Sequence, residues 1–98
     1  MIKWLNAKEA VEFGESLAEF FARRIPLVEE ENQRVISKAN RRAVLNEMVR
    51  KIDKFKSEHS MNFYKKAKLG NAFKWKLLEA GFAADIVDSL TKQILLRL

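Results

Sequence analysis

The chain has 98 residues, 48% of them hydrophobic, and a formal net charge of +6. This length corresponds to a single domain, 1–98, and the hydrophobic content excludes wholesale disorder. With no cysteine, a disulfide framework and thiolate chemistry are excluded, and only three Gly and one Pro favour long helices.

The positive charge is concentrated in the middle of the chain. Residues 1–33 carry four basic and seven acidic side chains, a net charge of −3, and residues 77–98 carry two and three, a net charge of −1. Residues 34–76 carry 13 basic and three acidic side chains, a net charge of +10. Such asymmetry concerns binding partners rather than the fold.

The first predicted helix follows Asn6, a favourable N-cap residue with Glu9 three positions later, as in a capping box. Apolar residues then recur at helical spacing on one broad face, and glutamates occupy the other. Because Pro26 excludes Ile25 from the α region, the helix is predicted to end near Arg24.

The second segment runs from Leu27 to Ser57, and its apolar stripe changes side. The upstream stripe is Val28, Val35, Ile36, Ala39 and Ala43, and the downstream stripe is Val44, Leu45, Met48, Val49, Ile52 and Phe55. Two interpretations are open: the helix breaks near Asn40-Arg41-Arg42, or one long helix contacts different partners along its length.

Part of the downstream stripe has the spacing of a short heptad seam. Its steps of three, four and three residues place four side chains on one line. Antiparallel two-fold pairing of two chains would bury this line, since closed two-fold symmetry is the commonest arrangement of soluble oligomers. The predicted oligomer interface therefore consists of Leu45, Met48, Ile52 and Phe55.

The third helix is predicted to begin at Ser60 or Asn62 and to end at Ala80. One apolar stripe contains Tyr64, Ala67, Trp75 and Leu78, and further apolar character comes from Met61, Leu69, Ala72, Phe73 and Leu77. A helix that is apolar on most sides is buried on most sides, by its own chain or by a partner.

Lysines alternate with aromatic residues along the same helix, as in basic grooves that bind nucleic acid. The alternative interpretation is that the aromatic residues lie in the core and the lysines form a solvated face. The candidate polyanion-binding residues are Lys65, Lys66, Lys68, Lys74 and Lys76.

Gly81 is predicted to end the third helix in a left-handed conformation, with Phe82 as the hydrophobic contact of a Schellman motif. The last helix then runs from Ala83 to Leu98, with Asp85 in its first turn. The corner from Leu77 to Phe82 resembles the helix-turn-helix of DNA-binding proteins and the first loop of ubiquitin-associated domains. Each resemblance covers less than a quarter of the chain and transfers no functional residue.

The sequence offers few groups for catalysis. One His and no Cys argue against a metal site, and the five serines lack a second base for nucleophilic catalysis. The run Lys-Leu-Gly-Asn lacks the glycine spacing of a phosphate loop. We therefore predict no enzyme activity, no cofactor and no small-molecule substrate.

These patterns predict a small all-α helical bundle of about four helices with short connections. The predicted function is a non-enzymatic, self-associating protein–protein interaction module in the cytoplasm. The alternative is a nucleic-acid-binding accessory protein using 34–76, and a basic helix on a membrane surface is the weakest candidate. The predicted core residues are Phe13, Leu17, Phe21, Ile52, Trp75, Leu78, Ile86 and Leu90.

Overall fold

The computed structural model describes residues 7–25 and 38–98. These residues form no strand and four α-helices: α1 (Lys8–Arg24), α2 (Lys38–Glu58), α3 (Phe63–Glu79) and α4 (Ala84–Arg97). The prediction of a small all-α bundle is therefore confirmed. Four residues connect α2 to α3, and four connect α3 to α4.

The two ends of α1 differ in how well the sequence predicts them. Its N-cap is Ala7, which makes no side-chain cap hydrogen bond. The predicted cap, Asn6, lies outside the described residues. At the other end α1 stops at Arg24 as predicted, and the backbone N–H of Ile25 donates to the Phe21 carbonyl.

The α2 helix is continuous through Asn40-Arg41-Arg42. Of the two interpretations of the second segment, a break at this tripeptide is therefore wrong. The helix stays unbroken over Lys38–Glu58. The upstream stripe from Val28 to Ile36 lies outside the described residues.

The start of α3 is fixed by a side-chain cap. Asn62 has extended backbone angles, and its Oδ1 accepts a hydrogen bond from the backbone N–H of Lys65 at 2.8 Å. Ser60, the other predicted cap, instead accepts a hydrogen bond on its carbonyl from Nζ of Lys65 at 3.2 Å. Asn62 is thus the residue that satisfies a free N–H of the first turn.

The end of α3 is the predicted Schellman motif. Gly81 has a φ of 100°, which favours glycine, and its N–H donates to the Leu78 carbonyl at 3.0 Å. The N–H of Phe82 donates to the Leu77 carbonyl at 3.2 Å. These are the two hydrogen bonds that define the motif, and the Phe82 side chain is buried beside them.

The helices form a ring in which α1 contacts α3, α3 contacts α4, α4 contacts α2, and α2 contacts α1. α1 and α3 share the most extensive interface. They run in the same direction, because their contacts advance together from Gly14 beside Leu69 to Glu19 beside Lys76.

The other neighbours in the ring are connected by polar contacts near their ends. α2 runs antiparallel to α1, with Arg24 and Glu47 3.5 Å apart at one end and His59 and Glu9 3.1 Å apart at the other. α4 likewise runs antiparallel to α3. Ion pairs between exposed residues contribute little each, so these contacts orient the helices more than they stabilise them.

The core between the helices contains only apolar side chains among the described residues. Every helix contributes a stripe at helical spacing, as expected for amphipathic helices around one core. The largest fully buried side chains are Leu17 of α1, Val44, Met48 and Ile52 of α2, Leu69, Phe73 and Leu77 of α3, and Val87 and Leu90 of α4.

Two glycines permit close helix contacts. A Cβ on Gly14 would collide with the backbone carbonyl of Leu69 and would lie 3.3 Å from the Cβ of Ala72. A Cβ on Gly70 would lie 2.9 Å from a terminal methyl of Leu95. Gly14 therefore sets the separation between α1 and α3, because any larger side chain at this position would force the two helices apart.

The predicted core is correct except at one position. Leu17, Phe21, Ile52 and Leu90 are buried, and Phe13, Leu78 and Ile86 are partly buried against the core. Trp75 is 55% exposed, so the prediction of its burial is wrong. The reason is that α3 has two apolar faces, and the core contacts the face of Leu69, Phe73 and Leu77.

Candidate functional site

Large apolar side chains are exposed on α3. Tyr64 is 41% exposed and Trp75 is 55% exposed, while Phe63, the first residue of the helix, is 87% exposed. Scattered exposed apolar residues are ordinary on protein surfaces. Tyr64 and Trp75 are different, because the helix places them on one line.

Five exposed residues follow that line along α3. Their steps of four, three, four and four residues keep them on one side of the helix. The line from the first residue to the last spans about 22 Å at 1.5 Å per residue. We call it the α3 face, and it consists of Tyr64, Lys68, Asn71, Trp75 and Glu79.

The α3 face has a defined internal arrangement. The ammonium group of Lys68 lies 5.6 Å from the centre of the Tyr64 ring, a cation–π contact. Because the opposite side of α3 is packed in the core, the face is held on a rigid element. Trp75 and Glu79 follow toward the C-terminal end, so a basic half precedes an acidic half.

A groove of about 290 Å³ lies beside the α3 face, between α1 and α3. Val11 and Ala72 are its apolar lining, and Trp75 forms part of its wall. Its charged lining residues are Glu15, Lys68, Lys76 and Glu79. Two are acidic and two are basic, so their formal charges cancel.

The five candidate polyanion-binding lysines do not share a face. Lys76 lies toward α1, where its Nζ is 3.5 Å from a carboxylate oxygen of Glu19. Lys74 lies toward α4, where its Nζ is 3.8 Å from a carboxylate oxygen of Asp88. Among Lys65, Lys66, Lys68, Lys74 and Lys76, Lys68 alone is on the α3 face, and the other four are partly buried.

The predicted oligomer interface is largely covered in the folded chain. Met48, Ile52 and Phe55 are buried, and Leu45 is partly buried against the core. The ring of Phe55 stacks on that of Phe13, with centroids 4.2 Å apart. These four residues therefore pack against the chain's own core, and their contact with a second copy stays a prediction. Their spacing shows only that they share a side of α2, and the chain's own α1 and α4 cover that side.

The single histidine lies where α1 and α2 meet. Nε2 of His59 is 3.1 Å from Oε2 of Glu9, and Nδ1 is 3.1 Å from the Phe55 carbonyl. Both ring nitrogens thus face oxygen atoms, and the ring stacks on Phe55. Within residues 7–25 and 38–98, no group of three or more His, Cys, Asp or Glu side chains could hold a metal ion.

No family model, curated protein or solved structure matches the chain. No helix in the described part of the chain is long and apolar enough to cross a membrane.

One ion pair shifts the pKa of both of its partners. Nε and Nη2 of Arg97 donate to the two carboxylate oxygens of Asp53, at 3.0 and 2.6 Å. These hydrogen bonds lower the pKa of Asp53 below its ordinary 3.8 and raise the pKa of Arg97. The pair joins α2 to α4 on the surface and lies away from the α3 face.

Sequence reasoning named Lys68 among the site residues but missed the role of Tyr64 and Trp75 as surface residues. A signal was present in the pattern. The stripe that contains them is interrupted by Lys68, Asn71 and Glu79, whereas the stripe of Leu69, Phe73 and Leu77 has fewer polar neighbours on its side of the helix.

Proposed function

We propose that this protein is a small non-enzymatic protein–protein interaction module and that the α3 face is its contact surface. The observation that supports the proposal is the exposure of Trp75 and Tyr64 on one line of a helix whose other side is fixed in the core. Trp and Tyr are enriched among the residues that dominate protein-binding energy. A rigid helix also loses little conformational freedom on binding.

The charges beside the aromatic residues favour a protein partner over a polyanion. Nucleic-acid binding depends on several cations that neutralise phosphates together. Here Glu15 and Glu79 line the groove with Lys68 and Lys76, so a phosphate backbone would meet as many negative as positive charges. Nucleic-acid binding remains the alternative function, and cytoplasmic location stays a prediction.

Capture from a lysate of the source cells, with and without nuclease, tests this proposal. Immobilised wild-type protein is compared with Trp75→Ala and with Phe63→Ala, a matched control that removes a more exposed aromatic ring from outside the α3 face. A binding residue of this type contributes about 2 kcal/mol, so we expect Trp75→Ala to lower partner affinity about 30-fold. Phe63→Ala should bind like the wild type.

Circular dichroism of both variants shows whether the helices are retained. Equal capture by wild type and Trp75→Ala would contradict the proposed contact surface. Capture that nuclease treatment abolishes would instead support the nucleic-acid alternative.

A further inference from the structure

We infer that the partner of the α3 face is a second copy of this chain, with the two α3 helices antiparallel about a two-fold axis between Asn71 and Ala72. This inference rests on the proposed function, because it uses the same surface. It moves self-association from the buried side of α2 to an exposed side of α3.

The charges along the α3 face are complementary to themselves in this register. The N-terminal half carries an aromatic residue and a cation, Tyr64 and Lys68, and the C-terminal half carries an aromatic residue and an anion, Trp75 and Glu79. In an antiparallel pair, the N-terminal half of one α3 face lies against the C-terminal half of the other. Complementary charges of this kind fix the register of an interface.

The register follows from the numbering. Positions 64 and 79 lie equally far from the midpoint between Asn71 and Ala72, and so do 68 and 75. Lys68 therefore lies opposite Trp75 of the second copy, and the Tyr64 hydroxyl lies opposite Glu79 of the second copy. Two-fold symmetry makes each contact twice.

These contacts suit the side chains involved. The Lys68 ammonium already lies over the Tyr64 ring, and the second copy would add the indole face of Trp75 and, one turn beyond, the Glu79 carboxylate. Parallel pairing would instead place Lys68 against Lys68 and Glu79 against Glu79. Like charges opposite each other disfavour that orientation.

The groove between α1 and α3 lies beside the proposed contact. Its lining includes Lys68, Asn71 and Trp75 of the α3 face, so a second copy would cover its opening. A pair of single helices buries less than a standard interface of about 1,600 Å². We therefore expect a weak dimer, with a dissociation constant of about 10–100 µM.

Charge exchange tests both the partner and the register. Sedimentation equilibrium is measured from about 5 to 500 µM, a range that brackets that expectation. The samples are wild type, Lys68→Glu, Glu79→Lys, the double exchange and Trp75→Ala. Each single charge change places like charges across the axis and should weaken the dimer at least about tenfold. The double exchange restores opposite charges and should dimerise like the wild type.

The outcomes separate this inference from the proposed function. A wild type that is monomeric throughout this range overturns the second copy as partner, and Trp75-dependent capture from lysate would still support the proposed function. A dimer that Trp75→Ala does not weaken overturns the register. The register is also overturned if both single changes weaken the dimer and the double exchange does not restore it. Both exchanged side chains, Lys68 and Glu79, are exposed, so circular dichroism should show unchanged helix content.

Discussion

Leu17 and Trp75 are both large apolar residues at helical spacing, but their surroundings differ. Leu17 is fully buried between α1 and its neighbours, whereas more than half of Trp75 is exposed. We expect Leu17→Ala to lower the free energy of unfolding by about 2–5 kcal/mol, because it leaves a cavity. Trp75→Ala should lower it by less than about 1 kcal/mol, as at a surface site.

Urea denaturation of the two variants checks this expectation. A loss for Trp75→Ala as large as that for Leu17→Ala would mean that the indole is part of the core. The same experiment shows that a binding defect of Trp75→Ala does not come from unfolding.

The two helix glycines permit a second comparison at single positions. Gly14→Ala forces α1 away from the Leu69 backbone, which cannot rotate aside, so we expect a loss of about 1–3 kcal/mol in unfolding free energy. At Gly70 the obstacle is a methyl group of Leu95, which can change rotamer. The gain in helix propensity of about 1 kcal/mol should offset that movement in Gly70→Ala.

Thermal and urea unfolding of the two alanine variants provide the measurement. Equal stability of Gly14→Ala and wild type would show that α1 and α3 can separate without loss. A larger loss at Gly70 than at Gly14 would reverse our assignment of the closer helix contact.

For α3 as an element, the N-terminal cap is a single side chain. Asn62→Ala removes the acceptor of the Lys65 N–H, and we expect the unfolding free energy to fall by about 1 kcal/mol. Ser60→Ala is the matched control, because only the backbone carbonyl of Ser60 contacts Lys65. Urea denaturation distinguishes them, and a larger loss for Ser60→Ala would place the cap two residues earlier.

The connection between α2 and α4 depends on pH. Arg97 lowers the pKa of Asp53 in the folded chain, so this contribution to stability is present above the unfolded pKa, near 3.8, and is lost as the pH falls through the lower folded value. We expect Asp53→Asn to have a lower Tm than wild type at pH 7, with a difference that begins to shrink below about pH 4. The effect is small because both side chains are exposed.

Thermal unfolding from pH 7 to about pH 2.5, a range that spans ordinary carboxyl pKa values, measures this difference. Adding Arg97→Gln to Asp53→Asn should cause little further loss, because the partner is already gone. A Tm difference that grows toward acidic pH would contradict the sign of the Asp53 shift.

The sequence determines where the helices end better than it determines which element covers each apolar face. Pro26, Asn62 and Gly81 act within one turn of the chain, so the end of α1 and both ends of α3 follow from local chemistry. The neighbours of α2 and α3 follow from the arrangement of all four helices. Periodicity predicts that Met48, Ile52 and Phe55 share a side, and it contains no information on whether a second copy or α1 and α4 cover that side.

This difference changes the experiment that tests self-association. Met48→Glu would disrupt a dimer if Met48 were exposed, but Met48 is buried in the apolar core. An unpaired buried carboxylate is strongly destabilising, so this variant would unfold and could not test whether the chain dimerises. Exposed residues of the α3 face permit the test without that difficulty.

Across the whole molecule, the fold brings together charges that are separated along the sequence. The acidic first part contacts the basic middle within one chain, since Glu19 pairs with Lys76. The contrast between −3 in residues 1–33 and +10 in residues 34–76 is therefore partly cancelled on the surface. Complementary charge between chains is not needed to explain the sequence asymmetry.

A group of exposed cations lies on the outer side of α2. Arg42, Arg50 and Lys54 are exposed, and none of them forms an ion pair with another described residue. Any affinity for polyanions should therefore depend on α2 more than on α3. It should also fall steeply with salt, because each phosphate contact releases counterions.

Two matched triple variants test this expectation, since each removes three positive charges. Fluorescence anisotropy with a short labelled DNA at low salt compares Arg42→Ala/Arg50→Ala/Lys54→Ala with Lys65→Ala/Lys66→Ala/Lys68→Ala. We expect weak binding by the wild type and a larger loss of affinity in the α2 variant. Its cations are exposed and form no ion pair with another described residue, whereas Lys65 and Lys66 are partly buried. A larger loss in the α3 variant would mean that the lysines of α3 act together on phosphates, which would favour nucleic-acid binding over the protein partner that we propose.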